Sequence, residues 1–193
     1  MSELDDFRRE VVKTTDLPAD LALLAEATFG VLKEDPFEGF GLRALHPGET
    51  ASPYDTSYLT AEDLADLDIT ANVAAISEVA DRARWVAVGE NGEAYGYWLD
   101  GRDQLGGSPI VKYDTEGQFE LIPGTHLTEA VVADIVFDDV EEWEELTEPL
   151  TDAGLTFSVQ DPSDLSEQEP EADPTPRALH ERLYIERRAA QGG

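Results

Sequence analysis

The chain has 193 residues, of which 43 are Asp or Glu and only 13 are Lys or Arg, so its formal net charge is −30. Its length predicts one domain, and a hydrophobic content of 41% with 3 Trp, 6 Tyr and 7 Phe argues against a disordered chain. A field of this sign repels polyanions, which argues against a binder of nucleic acid or of anionic membranes. The chain has no cysteine, so disulfides, thiol nucleophiles and cysteine-ligated metals are excluded.

The amino-terminal segment does not resemble a signal peptide. Five acidic residues precede Leu17, and no apolar region follows the initial methionine. No stretch of the chain approaches the roughly 18 apolar residues of a transmembrane helix. We therefore expect a cytoplasmic protein that does not act at a membrane.

Three helices are predicted in the first 80 residues. The spacing of apolar side chains places them at about 3–14, 18–29 and 71–80. Between the second and third helices, residues 35–60 are rich in Gly and Pro, which predicts irregular structure with one short strand near 40–45.

Two β-hairpins give the clearest pattern in the sequence. The β-rich runs Arg84–Gly89 and Ala94–Leu99 are joined through Asn91-Gly92, a dipeptide that favours a type I′ turn because both residues tolerate positive φ. A second pair of runs, 109–113 and 118–122, flanks another turn that contains glycine. Together they predict a meander of four antiparallel strands.

The large aromatic residues of this meander are expected to belong mainly to the core. Tyr97 and Trp98 are adjacent, so they point to opposite faces of the sheet. If helices cover only one face, one of these two rings is exposed.

Two more helices are predicted after the meander. The first begins at Thr125 or Thr128, and the second begins at Asp139, which has capping-box spacing to Glu142. An edge strand is expected at 155–159. The predicted fold class is therefore α+β, with an antiparallel meander sheet of four to six strands and helices packed mainly on one face.

The composition changes near residue 160. We predict an α+β domain over 1–160, an acidic proline-rich linker over 161–176 and a helical tail over 177–193. The tail contains four arginines and two glutamates, so it is the one basic part of the chain. It is expected to dock on the acidic body or on a second copy, which would form a homo-oligomer.

No motif in the sequence predicts catalysis. The three histidines lie far apart, and the sequence lacks the HExxH, GxSxG, P-loop and GxGxxG patterns. The loop that begins at Asp100 lacks the ligand order of a calcium-binding loop. We therefore predict no catalytic residue, no metal ligand and no cofactor, and we expect a protein that is not an enzyme.

Exposed acidic positions are the candidates for partner binding. The helix after Asp139 carries a dense run of glutamates, which either attracts a basic partner or is a solvated face. The first hairpin and the loop that follows it offer further exposed positions. The predicted partner-binding residues are Glu90, Trp98, Asp100, Asp103, Glu141 and Glu145.

Several short motifs resemble the SUKH superfamily. They are Leu17-Pro18 followed by Phe29-Gly30, the hairpin sequence NGEAYGYWL from Asn91 to Leu99, and PIVKYD from Pro109 to Asp114. The resemblance covers about residues 16–137. It implies an α+β domain of a bacterial immunity protein, which binds and neutralises a polymorphic toxin, and the superfamily has no shared catalytic motif to transfer.

Three functions are consistent with these patterns. The first is neutralisation of a basic toxin, such as a nuclease, by stoichiometric binding through an acidic surface. The second is an acidic regulatory protein or a nucleic-acid mimic that has no toxin partner. The third is an enzyme with a metal site among its many carboxylates, which no residue spacing favours.

Overall fold

The structure, a computed structural model, describes residues 2–14, 16–166, 168 and 170–191. The helices are α1 Glu3–Asp6, α2 Ala19–Thr28, α3 Leu67–Ala80, α4 Leu127–Val136, α5 Val140–Asp152, α6 Ser163–Ser166 and α7 Pro176–Gln191. The strands are β1 Arg43–Ala44, β2 Ala83–Val88, β3 Ala94–Trp98, β4 Ile110–Tyr113 and β5 Phe119–Ile122. A π-helical segment, Phe7–Val12, continues directly from α1. The predicted α+β class is confirmed.

The five strands form one antiparallel sheet in the order β1-β2-β3-β4-β5. Both predicted hairpins are present, and the short β1 adds a fifth strand beside β2. The turn of the first hairpin is not of type I′, because Gly92 has a φ of +93° whereas Asn91 keeps a negative φ. The Gly92 N–H donates to the Gly89 carbonyl at 3.1 Å and closes this turn.

A close approach between β2 and β3 explains the glycine in the middle of the hairpin. The register between these strands shifts between Trp85 and Ala87. A Cβ atom on Gly96 would lie 2.3 Å from the Arg84 carbonyl oxygen. Only glycine therefore allows the two backbones to approach this closely.

Helices cover both faces of the sheet, and a separate core lies on each face. The first core packs β-strand side chains such as Tyr97 against α2, α4 and α5, and the second packs Trp98 and its neighbours against α3 and α7. The sequence predicts helices mainly on one face, and α2, α4, α5 and α6 do pack on the first core, while α3 and α7 add cover on the second. Adjacent large rings on opposite faces of β3 require cover on both sides.

The carboxy-terminal helix docks on the body of the same chain. Leu179 and Leu183 of α7 are buried in the second core. Around them, Arg187 pairs with Glu78 and Arg188 pairs with Asp68, both on α3. The basic tail therefore finds its acidic partner within one copy of the protein.

The chain from Leu155 to Leu165, after α5, packs on the first core. Residues 155–159 form no strand, so the predicted edge strand is wrong, although Leu155 is buried. Leu165 of α6 is also fully buried in the first core. None of the described helices combines the length and the apolar character that a membrane crossing requires.

Candidate functional site

The turn between α4 and α5 presents an aromatic ring to solvent. Phe137 follows the last residue of α4 with φ +56° and ψ −97°, a conformation that L residues rarely adopt. Its N–H donates to the Ala133 carbonyl at 3.0 Å, which closes the end of α4. The Phe137 side chain is 74% exposed. The backbone here therefore directs a large ring away from the core.

Two further exposed apolar side chains and a set of carboxylates lie in the same short stretch of chain as this ring. Ile135 is 37% exposed and Val140 is 40% exposed. Asp138 and Asp139 separate them in sequence, and both are exposed. We call residues 135–141 the α4–α5 corner. An apolar centre with a charged rim is typical of a surface that binds another protein.

Helix α5 carries negative charge that the rest of the molecule leaves unneutralised. Its acidic residues are Glu141, Glu142, Glu144, Glu145, Glu148 and Asp152. None of them takes part in an ion pair among the described residues, whereas Glu49, Asp100 and Asp134 each pair with a Lys or Arg. The opposite side of α5 buries Trp143 and Leu150 in the first core. This helix is therefore amphipathic, and its outer face is free to attract cations.

A cavity of about 250 Å³ lies between the loop of the first hairpin and α5. We call it the hairpin cavity. Its apolar lining includes Tyr95 and Leu146, and its acidic lining consists of Glu90, Glu93 and Glu142. Ile135 also lines it, so the cavity is continuous with the α4–α5 corner.

Two glycines keep the hairpin cavity open. A Cβ atom on Gly39 would lie 3.2 Å from Leu146 Cδ2, and one on Gly89 would lie 2.7 Å from Glu93 Oε2. The Glu93 carboxylate is held in place by Asn91, whose backbone N–H and side-chain Nδ2 each donate to it at 3.2 Å. The hydrogen bonds from Asn91 thus fix one carboxylate of the cavity. A side chain at position 39 or 89 would make the cavity narrower.

The structure brings together some of the residues predicted to bind a partner. Glu90 lines the hairpin cavity, and Glu141 and Glu145 are exposed on the helix that forms its other wall. Asp100 and Asp103 follow the opposite end of β3, so they lie away from this surface. Asp100 pairs with Arg82 at 2.7 Å.

The prediction that Trp98 contacts a partner is wrong. Its side chain is fully buried in the second core. The sequence predicts that one ring of the Tyr97–Trp98 pair is exposed if helices cover only one face of the sheet. Because α3 and α7 cover the second face, neither ring reaches the surface.

Sequence reasoning missed Phe137, the most exposed of the large apolar residues described. One local signal was available. Phe137 stands just before Asp138 and the capping residue Asp139, in the short connection between two predicted helices. An aromatic residue in such a connection has no helical face on which to pack, which indicates exposure.

A buried polar cluster anchors the start of α4 but does not face the surface. His126 Nδ1 lies 3.4 Å from Asp20 Oδ2, and Asp20 also accepts the Thr128 N–H at 3.0 Å. Burial works to raise the pKa of Asp20, but the hydrogen bond and charge of His126, with the backbone N–H groups of Thr128 and Leu21, together outweigh it and lower that pKa. Burial likewise works to lower the pKa of His126, but Asp20, the Thr156 carbonyl and Glu129 together outweigh it and raise that pKa.

Glu129 completes this cluster. Its carboxylate accepts the Thr125 N–H at 2.7 Å and also accepts the Ser158 N–H. These bonds connect α4 to the segment that follows α5, so the cluster has a structural role. Across the part of the chain that the structure describes, no group of three or more His, Asp or Glu residues is placed to hold a metal ion.

Comparison with models of protein families, with curated proteins and with solved structures finds no match to this chain. The α4–α5 corner and the hairpin cavity are therefore the features from which a function is inferred.

Proposed function

We propose that this protein binds a basic protein partner stoichiometrically through the α4–α5 corner and α5, and that the partner is a toxin domain that binding neutralises. The exposed ring of Phe137, which lies in a stretch of chain whose carboxylates form no ion pair among the described residues, is the observation that carries this proposal. Rings that become buried at the centre of an interface contribute a large share of its binding energy. Phe137 is the candidate for this role.

The charge of α5 supports a basic partner. Long-range attraction accelerates the encounter of oppositely charged surfaces, and this acceleration weakens as salt increases. A nuclease toxin needs a positive surface to hold its nucleic-acid substrate. An acidic protein that covers such a surface competes with the substrate, so binding alone blocks the toxin.

The resemblance of the Leu17-Pro18, NGEAYGYWL and PIVKYD motifs to the SUKH superfamily favours toxin neutralisation over other roles of an acidic binding protein. The first candidate partner is a basic toxin domain encoded next to the gene of this protein. Titration calorimetry with that domain should show a 1:1 complex. In a separate kinetic measurement, the rate at which the two proteins associate should be lower in 500 mM than in 50 mM NaCl.

The variant Phe137→Ser tests the anchor. It should weaken binding at least about thirtyfold, since truncation of a central aromatic residue commonly removes about 2 kcal/mol or more. Ile185→Ser is the matched control, because Ile185 is also exposed, at 65%, but lies on α7 at the other face of the sheet. Equal affinities for the two variants, or an association rate that salt does not change, would contradict the proposal.

A further inference from the structure

We infer that the hairpin cavity receives the side chain of an arginine from the partner, with the guanidinium between Glu90, Glu93 and Glu142. This inference rests on the proposed function and names the chemistry that one part of the surface recognises. It combines the shape of the cavity, its charge and its aromatic wall.

The cavity has the size for one long side chain. Its volume is about 250 Å³, and Tyr95 and Leu146 provide an apolar wall along which the methylene groups of an arginine can lie. The glycines at positions 39 and 89 leave this space open, because a methyl group at position 39 would meet Leu146 on α5 and one at position 89 would meet the Glu93 carboxylate on the same hairpin.

The charge of the cavity is not satisfied from within the chain. Among the described residues, neither Glu90, Glu93 nor Glu142 forms an ion pair with a Lys or Arg. Two cations lie on strands beside the cavity, and both are already paired: Lys112, opposite Tyr95, pairs with Asp134 at 2.7 Å, and Arg43, opposite Val88, pairs with Glu49 at 2.6 Å. The three carboxylates therefore present a net negative site to an incoming group.

Arginine fits this site better than lysine does. A planar guanidinium donates in two directions at once and so can bridge two carboxylates, and it is more weakly hydrated than an ammonium. A lysine ammonium is a compact, strongly hydrated point charge that gains less from this geometry. The cavity should consequently bind an arginine side chain more tightly than a lysine side chain, although both carry one positive charge.

Two peptides of equal charge test this selectivity on the full-length protein. Tetra-arginine and tetra-lysine are titrated into ¹⁵N-labelled protein, and the amide shifts of residues 89–93 and of Gly39 are followed. We expect tetra-arginine to bind about threefold more tightly or better, with the largest shifts at these amides. Equal affinities, or shifts spread evenly along α5, would overturn the inference.

Three variants test whether the preference for arginine over lysine arises in the hairpin cavity. Glu142→Gln should remove most of the preference for arginine, whereas Glu141→Gln removes the same charge from the same helical turn outside the cavity and should preserve it. Gly89→Ala fills the cavity without a change of charge and should also abolish the preference. If Glu141→Gln and Glu142→Gln act alike, arginine does not enter the cavity.

Failure of the arginine inference can be distinguished from failure of the proposed function. Both peptides can bind α5 with similar, salt-dependent affinity, in which case the acidic surface remains a site for basic partners and only the arginine inference fails. If neither peptide causes any shift at 50 mM NaCl, both the inference and the acidic-surface mechanism are contradicted.

Discussion

Phe137 combines a rare backbone conformation with a side chain that is 74% exposed. A residue held in a sparsely populated region of φ and ψ commonly costs about 1–3 kcal/mol of folding free energy. Because the ring is mostly solvated, little burial compensates that cost. The residue proposed as the binding anchor is thus one that the isolated protein does not need for stability.

Substitution Phe137→Gly should therefore leave the protein as stable as the wild type or stabilise it by up to about 1 kcal/mol, after the entropy of the glycine is deducted. Urea unfolding followed by circular dichroism measures this change. A loss of more than 1 kcal/mol would mean that the ring packs in the folded protein. In that case the interpretation of Phe137 as a displayed anchor would be wrong.

Individual residues differ in how far the sequence predicts them. Asp139 was predicted as a helix cap from its spacing to Glu142, and its Oδ1 accepts the Glu142 N–H at 3.0 Å. That interaction spans three residues and depends on nothing else. The sequence places the cap of α4 at Thr125 or Thr128, but His126 occupies the N-cap position, because Asp20 and Thr156 from distant segments hold the imidazole there.

At the scale of elements, the His126–Asp20 pair links α2 to the start of α4. The raised pKa of His126 means that its contribution to stability is full below its unfolded value near 6.5 and is lost as the pH rises through the folded value. The lowered pKa of Asp20 means that its contribution is full above 3.8 and is lost as the pH falls. The pair contributes most between these limits.

The wild type should consequently lose about 1 kcal/mol or more relative to His126→Gln when the pH rises from 6 to 9, the scale of one hydrogen bond to a charged group. Urea unfolding of both proteins at each pH measures the difference. Comparison with the variant also removes the contribution of His180, whose pKa burial lowers. Parallel pH profiles for the two proteins would show that His126 does not form this pair.

Helix α7 is held by apolar burial more than by its ion pairs. Leu179 is fully buried, whereas the side chains of Arg188 and Asp68 are 39% and 57% exposed. Leu179→Ala should destabilise the protein by about 2–5 kcal/mol, and Arg188→Gln by less than about 1 kcal/mol. Thermal and urea unfolding compare the two variants. A larger effect of the arginine would mean that charge holds the tail.

For the whole molecule, the net charge of −30 is expected to oppose compactness through self-repulsion. Added NaCl screens this repulsion more strongly than it weakens the few ion pairs of α7. The Tm should therefore rise by several degrees between 50 and 500 mM NaCl in differential scanning calorimetry. A Tm that falls with salt would indicate that specific ion pairs outweigh the general repulsion.

The overall architecture shows where sequence patterns stop being informative. Both hairpins follow from local alternation and turn residues, and the structure contains them. The cover on the second face was not predicted, because it depends on where α3 and α7 dock, which no local pattern encodes. The same docking buries Trp98, which is why this ring does not reach the surface as an exposed binding position would.

The two cores also differ in when they can form. All buried residues of the first core lie between Phe7 and Leu165, whereas the second core includes Leu179 and Leu183. On the ribosome, a growing chain can therefore complete the first core while the part of the second core that α7 covers still faces water. The second face closes only after α7 has left the exit tunnel, so the order of synthesis separates the folding of the two faces in time.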